Sequence, residues 1–247
     1  MRNKVGYLLE TLGIVGYAWY HVDIMRDKSL RVSRTRRARL WKPVNQQGSR
    51  SLIGTIAPSE TTRRTPVMPQ EIRAYLLGTL HDGTYSSNCR FRIAQKGAAW
   101  LKILKRLFKY LGQNSWIYRE GKNRSVYVLE TLASWLDFGF NPLRLKTTSE
   151  RRGYIRGFFD AEGGIPRRRS DRFYIQLVQK DKVKISRIKG MLNKMKISSG
   201  KIHNPSVRVD PDYWRIFILA RSHQNFIKKI GSWHPRKRKI LADREMI

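Results

Sequence analysis

Gly153-Tyr154-Ile155-Arg156-Gly157-Phe158-Phe159-Asp160-Ala161-Glu162-Gly163 reads as a short helix with Gly153, Gly157 and Ala161 spaced four apart on one face. A glycine inside a helix costs roughly 0.5–1 kcal/mol relative to alanine. Two such losses on one stripe predict that a second backbone comes very close. The helix then ends in two carboxylates, Asp160 and Glu162, before Gly163-Gly164. Negative charge at a helix C-terminus opposes the macrodipole by roughly 0.3–1 kcal/mol. Close packing followed by unfavourably placed carboxylates predicts a metal site where two helices meet.

A second copy lies 79 positions upstream, in Ala74-Tyr75-Leu76-Leu77-Gly78-Thr79-Leu80-His81-Asp82-Gly83. Ala74, Tyr75 and Gly78 fall where Gly153, Tyr154 and Gly157 fall. Downstream, Arg92-Ile93-Ala94-Gln95-Lys96 recurs as Gln176-Leu177-Val178-Gln179-Lys180, each after an alternating run and before a helix. Helical periodicity follows at Leu101, Leu104, Leu107, Phe108 and Leu111, and again at Ile185, Ile188, Leu192 and Met195. Two further strands are predicted in each copy, at Trp116–Tyr118 and Val126–Leu129, then at Lys201–His203 and Trp214–Ile218. A last helix is predicted near Leu132–Leu136 and Ser222–Ile230. The order helix, two strands, helix, two strands, helix runs twice.

These residues resemble the LAGLIDADG homing endonucleases in their single-chain, two-motif form. Ile155 to Gly163 matches the nine-residue motif well and Leu76 to Gly83 matches it loosely; the resemblance spans about Met68 to Leu241. It implies an α+β fold of two pseudo-symmetric αββαββα repeats whose antiparallel sheets form a DNA-binding saddle. The expected divisions are a basic extension over 1–67, repeats over 68–147 and 148–241, and a tail over 242–247. The first copy departs from the pattern: Glu162 lies five residues after Gly157, but Asp82 only four after Gly78. Asp82 therefore reaches the site only through a helix end one residue shorter, with Gly83 expected in the left-handed conformation that ends a helix.

The resemblance carries Mg²⁺ binding onto Glu162 and Asp82, and two close carboxylates that repel give an independent reason to expect a cation. Asp160 is expected to be a structural hydrogen-bonding residue instead. Gln95 and Gln179 resemble the polar residues that position water near the metals. Lys146 and Lys239, each four residues after a proline (Pro142 and Pro235), resemble the family's active-site lysines. On the sheets, arginines suited to guanine and phosphate contacts are Arg90, Arg92, Arg119, Arg124, Arg167, Arg169, Arg172 and Arg215. Tyr85, Tyr118, Tyr127 and Tyr174 are expected to join the same face.

Composition points the same way. The 247 residues carry 51 Lys+Arg against 18 Asp+Glu, a formal charge of +33 that attracts polyanions. Nucleic acid leads as the partner and an anionic membrane surface comes second. A hydrophobic fraction of 40% with 11% aromatics excludes a wholly disordered basic tail. Cys89 is the single cysteine, which excludes a disulfide framework and a thiolate zinc site. No run of about 18 uncharged apolar residues marks a membrane span. Met1–Tyr20 opens like a signal peptide, but Glu10 interrupts it and no small-residue cleavage site follows.

Residues 1–67 hold 13 basic and 4 acidic side chains, a net +9. The basic run Arg31–Arg39 and the Ser-, Thr-, Gly- and Pro-rich run Gln46–Pro66 read as a linker or disordered arm. Met68, just ahead of the first repeat, would make a natural start. The expected activity is a Mg²⁺-dependent double-strand cut at a long, imperfectly palindromic DNA site, made by a monomer and promoting intron mobility. The resemblance also implies cleavage across the minor groove with short 3′ overhangs. The alternative is a LAGLIDADG-type maturase acting on intron RNA, or a DNA-binding protein without cleavage. An intein is excluded by the lack of an initial cysteine or serine and of a terminal His-Asn pair. Prokaryotic cytoplasm or an organellar matrix is the expected compartment, with no membrane partner.

Overall fold

The computed structural model describes residues 68–245 apart from Ser87, Cys89, Asn123 and Arg169, all within one compact unit, Thr61–Ile247. The readings on residues 1–67 and on Arg169 fall outside the described residues. The first repeat runs α1 (Pro69–Thr79), β1 (Gly83–Tyr85), β2 (Phe91–Lys96), α2 (Ala99–Tyr110), β3 (Ser115–Glu120) and β4 (Val126–Thr131). The second runs α3 (Thr148–Glu162), β5 (Gly163–Gly164), β6 (Gln176–Gln179), α4 (Lys182–Lys194), β7 (Trp214–Phe217), α5 (His223–Lys229) and α6 (Pro235–Glu245).

Local chemistry starts both central helices. Pro69 occupies the first position of α1, where a missing N–H costs nothing. Thr147 opens α3 with a capping box: its hydroxyl accepts from Glu150 N at 3.1 Å while Glu150 Oε2 accepts from Thr147 N at 2.7 Å. Such a cap contributes about 1 kcal/mol.

The two helices then pack backbone against backbone. A Cβ on Gly157 would sit 2.0 Å from the Tyr75 carbonyl oxygen, and one on Gly78 would sit 2.2 Å from that of Tyr154. Both pairs are related by the same offset of 79 residues, so the contact is reciprocal, as a two-fold axis requires. Gly153 approaches the Glu71 carbonyl in the same manner, 2.3 Å from a built Cβ. No larger side chain fits at these three positions. At this end Glu71 is 1% exposed and accepts from Ser149 Oγ at 2.6 Å, Arg152 Nε at 2.9 Å and Arg156 Nη1 at 2.8 Å. Burial works to raise its pKa, but Arg152, Ser149 and Arg156 outweigh it and hold the carboxyl below its usual range.

Each repeat lays an antiparallel sheet on its own helix. The first sheet has the order β1-β2-β4-β3 and the second β5-β6-β7. Phe91, Ile93 and Leu129 turn inward onto Trp100, Leu101, Leu104 and Phe108 of α2. Leu177 and Ile216 do the same against Ile185, Ile188 and Leu192 of α4. The buried positions of α2 and α4 thus correspond at an offset of 84, five more than in α1 and α3.

Four expectations change. Leu132–Leu136 forms no helix: Thr131 Oγ1 accepts from Ala133 N, Asp137 from Gly139 N, and Pro142 opens a single 3₁₀ turn, Pro142–Arg144. These local bonds compete with helix formation. Lys201–His203 makes only one isolated bridge, His203 with Arg215, beside that of Ser199 with Ile218. Of the expected tail, residues 242–245 are instead the end of α6, whose Leu241 is buried in the core. Gly83 is extended (φ −100°, ψ 157°), not left-handed. It is small because a Cβ would press on the Leu80 carbonyl at 3.1 Å.

Candidate active site

Asp82 and Glu162 stand at the matching ends of α1 and α3, each immediately before the first strand of its repeat. The missing residue in the first copy is absorbed by a change of helix type. From Gly157 to Glu162, five residues rise about 7.5 Å at ~1.5 Å each. From Gly78 to Asp82, four residues rise about the same, because Leu80–Asp82 is a 3₁₀ turn at ~2.0 Å per residue. Strand register confirms the equivalence: Gly83 pairs with Ile93, Gly163 pairs with Leu177, and Gln95 and Gln179 each lie two residues further on.

Both carboxyl groups are poorly compensated. Burial pushes Asp82 up to about 7, against the hydrogen bond from Gln95 Nε2 and the charge of Lys237. Burial and the charge of Asp82 push Glu162 up to about 7, against Lys237 and Lys180. Lys237 was not singled out from the sequence. It is 4% exposed, and its ammonium donates to the carbonyls of Phe159, Asp160 (2.9 Å) and Gly163 (2.6 Å). It therefore closes the C-terminal end of α3, where a cation meets the negative end of the dipole. Burial brings its pKa down to about 8 although Asp160, Asp82 and Glu162 hold it up.

Asp160 is the structural acceptor of this end. Gly231, at φ +60°, turns the chain so that Trp233 N and His234 N reach Asp160 Oδ2 at 2.9 and 3.0 Å. Tyr75 Oη donates to the same oxygen at 2.7 Å and Ser232 Oγ to the other; Trp100 Nε1 donates to Tyr75 Oη at 3.0 Å. Its counterpart in the first repeat is His81, which takes Tyr154 as Asp160 takes Tyr75. The Gln179 amide donates to His81 Nδ1 at 2.8 Å, so the ring carries its proton on Nε2 and donates it to Tyr154 Oη at 2.9 Å. Gln95 and Gln179 thus part company. Gln95 serves Asp82, whereas Gln179 turns to His81 rather than to Glu162.

The two expected lysines lie elsewhere. Lys146 precedes the start of α3, with roughly 21 Å of helix between it and Glu162. Lys239 is exposed on α6, two residues and about 200° around the helix from buried Lys237. The arginines also divide. Arg92 shares one sheet face with Trp116, Tyr118 and Glu130, while Arg119 and Tyr127 share the opposite face with Gln95. Arg92 reaches Glu120 at 2.6 Å and Glu130 at 3.4 Å; Arg90 reaches Glu130 at 3.4 Å and lies over Trp116. Arg119 donates to the Arg124 carbonyl at 2.8 Å in the β3–β4 loop. In the second repeat, Arg215 donates to His203 at 3.1 Å, Arg172 is exposed, and Arg167 lies close enough to Arg236 to lower its pKa beyond the effect of burial. Arg236 joins that basic set; its place after Pro235 gave no signal beyond one more charge in a basic run.

Two oxygen-donor carboxylates, buried together and short of positive charge, fit a hard divalent cation. The Lys237 ammonium cannot replace it, being committed to three backbone carbonyls. Among the described residues no group of three or more His, Cys, Asp and Glu forms a metal cage. A cation held here would complete its shell with water or with oxygens of a bound molecule.

Residues 149–231 match the family model described as the LAGLIDADG-like domain. Among solved structures, I-DmoI in complex with DNA and manganese is similar over 66% of this chain and 98% of its own, at 21% identity and a TM-score of 0.52. Mesophilic variants of the homing endonuclease I-DmoI match over 71% and 98%, at 19% identity and a TM-score of 0.54. Full-length WhiA from Thermatoga maritima matches over 75% of this chain and 64% of its own, at 15% identity and a TM-score of 0.54. No curated protein matches the sequence. Residues 149–231 are thus similar to a LAGLIDADG-like domain, and the described chain has the fold of I-DmoI.

Proposed function

We propose that this protein is a divalent-metal-dependent endonuclease that cuts both strands of a specific, long DNA site as a monomer. One observation carries the reading. Asp82 and Glu162 end the two helices that pack backbone against backbone, each just before the first strand of its repeat, and the charge of Asp82 raises the proton affinity of Glu162. Phosphodiester hydrolysis needs charge neutralised on the attacking and leaving oxygens, and a hard cation supplies that. Asp82 and Glu162 would hold it, with Mg²⁺ as the metal of choice for oxygen donors that leave room for phosphate and water. Gln95 fixes the orientation of Asp82. Lys237 keeps the end of α3 closed, and Lys180 adds positive charge near Glu162. The formal charge of +33 suits a phosphate-rich substrate, and I-DmoI, of the same fold, is solved with DNA. Mobility of a host intron, and residence wherever such DNA is accessible, in prokaryotic cytoplasm or organellar matrix, belong to the same proposal.

The second reading is duplex binding without cleavage, or assistance to intron RNA. It draws on Gln179, which is engaged by His81 and leaves Glu162 without the partner that Asp82 has. Incubating the protein and Mg²⁺ with a broad library of duplex targets separates the two. The nuclease gives one discrete, metal-dependent cut, lost in Glu162→Gln and Asp82→Asn while duplex binding persists. Binding with no nicking by wild type on any target in the library would sink the nuclease reading.

A further inference from the structure

On the sheet of the first repeat, two arginines are offset by acids. The face that carries Arg90, Arg92 and Lys96 also carries Glu120 and Glu130, and both arginines are taken up in ion pairs with these acids. On the outside of α2, by contrast, Lys102, Lys105, Arg106 and Lys109 are all exposed. Their spacing of three and four places them within an arc of about 100°, in single file over roughly 10 Å of helix. Among the described residues none of the four has an acidic partner within ion-pair distance, and α2 itself contains no Asp or Glu.

The fold does not require this stripe, and the internal repeat shows it. At the offset of 84 that aligns the buried positions of the two helices, α4 presents Ser186, Lys189, Gly190 and Asn193. Lys189 is half-buried and donates to the Gly200 carbonyl at 2.7 Å. The same four scaffold positions therefore carry one charge, tied to a backbone carbonyl, in one repeat and four charges in the other. Four like charges on adjacent turns repel one another by several tenths of a kcal/mol per pair, so the stripe lowers the stability of a free helix.

We propose that the outer face of α2 is a second nucleic-acid contact, which takes the phosphate backbone of a duplex DNA segment other than the one at Asp82 and Glu162. The shape of the stripe selects this occupant. Stable membrane anchoring would need an apolar face beside the cations, and the apolar face of α2 (Trp100, Leu101, Leu104, Phe108) is buried in the core. Unpaired strands are held by aromatic platforms that alternate with cations, whereas here a single exposed ring, Tyr110, lies at the end of the file. A narrow ridge of cations matches one phosphate ridge of a duplex.

The test uses the full chain and DNA duplexes too short to span both surfaces. Sedimentation at low salt counts duplexes bound per protein, for wild type and for Lys102→Gln, Lys105→Gln, Arg106→Gln and Lys109→Gln combined. Two duplexes on wild type and one on the quadruple variant are expected. The slope of log affinity against log salt should also fall by about one for each cation that had met a phosphate. Circular dichroism checks that the variant keeps its helix content. Glu162→Gln keeps both duplexes, so loss of the nuclease reading leaves this one standing. Equal stoichiometry and equal salt slopes in wild type and the folded quadruple variant would overturn it, as would a second position filled by duplex RNA in preference to DNA.

Discussion

Glu162 and Asp82 show what a single side chain gives up to serve this site. In an unfolded chain their carboxyls titrate near 4.3 and 3.9; in the fold both are pushed up to about 7, by burial and, at Glu162, by the charge of Asp82. Between about pH 4 and pH 7 the folded protein therefore holds protons that the unfolded chain has released. Stability then falls as pH rises through that window. Burial raises Asp160 in the same direction. Lys237, at about 8, stays charged throughout the range and holds both acids down. Without divalent metal, the melting temperature should drop between pH 5.5 and pH 7.5, and saturating Mg²⁺ should restore it at the upper end, where both carboxylates are ionised. Glu162→Gln should flatten the profile in part, leaving the slope that Asp82 and Asp160 contribute. Thermal scans across the range decide this: a pH-independent melting temperature in the metal-free wild type would contradict the paired, uncompensated carboxylates.

Among the elements, the α1–α3 pair shows how a stripe of small residues differs from one glycine placed by chance. Alanine at Gly157 would gain about 1 kcal/mol in helix propensity, but its Cβ would meet backbone of Tyr75 at 2.0 and 2.9 Å and of Thr79 at 3.1 Å. Backbone cannot yield as a side chain does, and overpacking typically costs 1–3 kcal/mol. Gly157→Ala is thus expected to lower stability by about 2 kcal/mol net and to separate Asp82 from Glu162. Gly190, on the exposed side of α4, has no atom within 4 Å of a built Cβ, so Gly190→Ala should stabilise by about 0.5–1 kcal/mol. Denaturant unfolding of the two variants measures both, and destabilisation by Gly190→Ala would undo the contrast. The stripe was legible in the sequence for the same reason that it matters: four-residue spacing and tight packing are one fact stated twice. The motif acids, the Gln-Lys echo and the helices that carry periodic leucine and isoleucine were legible on equally local grounds. Lys237 was not, because its burial depends on α6, whose apolar positions, Ile240 and Leu241, are outnumbered by Arg and Lys within the same helix. Nor could spacing tell Arg92 from Arg119, since which face a strand turns inward is settled only by its pairing with β4.

Over the whole molecule, the two-fold relation holds closely enough at the helix crossing to make its breach at Asp160 and His81 informative. Asp160 gathers donors from Tyr75, Ser232, Trp233 and His234, whereas its mate, His81, accepts the Gln179 amide and passes its own proton to Tyr154. His81 remains neutral at physiological pH, since burial and Lys184 bring its pKa down to about 3. The first half therefore has Gln95 on its acid, and the second half has its glutamine turned away. If the two halves serve opposite strands, as the proposed nuclease requires, the strands should be cut at different rates. A supercoiled plasmid carrying the target should pass through a nicked circle that accumulates before linear product appears, and strand-specific end labels should show the same strand cut first in most molecules. His81→Leu keeps the volume beside Phe158, whose ring lies 4.6 Å from that of His81, while removing the acceptor that holds Gln179. With Gln179 released, the lag between first and second cuts should shorten at least about twofold, with the order of strands weakened. An unchanged lag in a variant that melts as a folded protein would show that the turn of Gln179 toward His81 has no bearing on the chemistry, and that the asymmetry of the site belongs to packing alone.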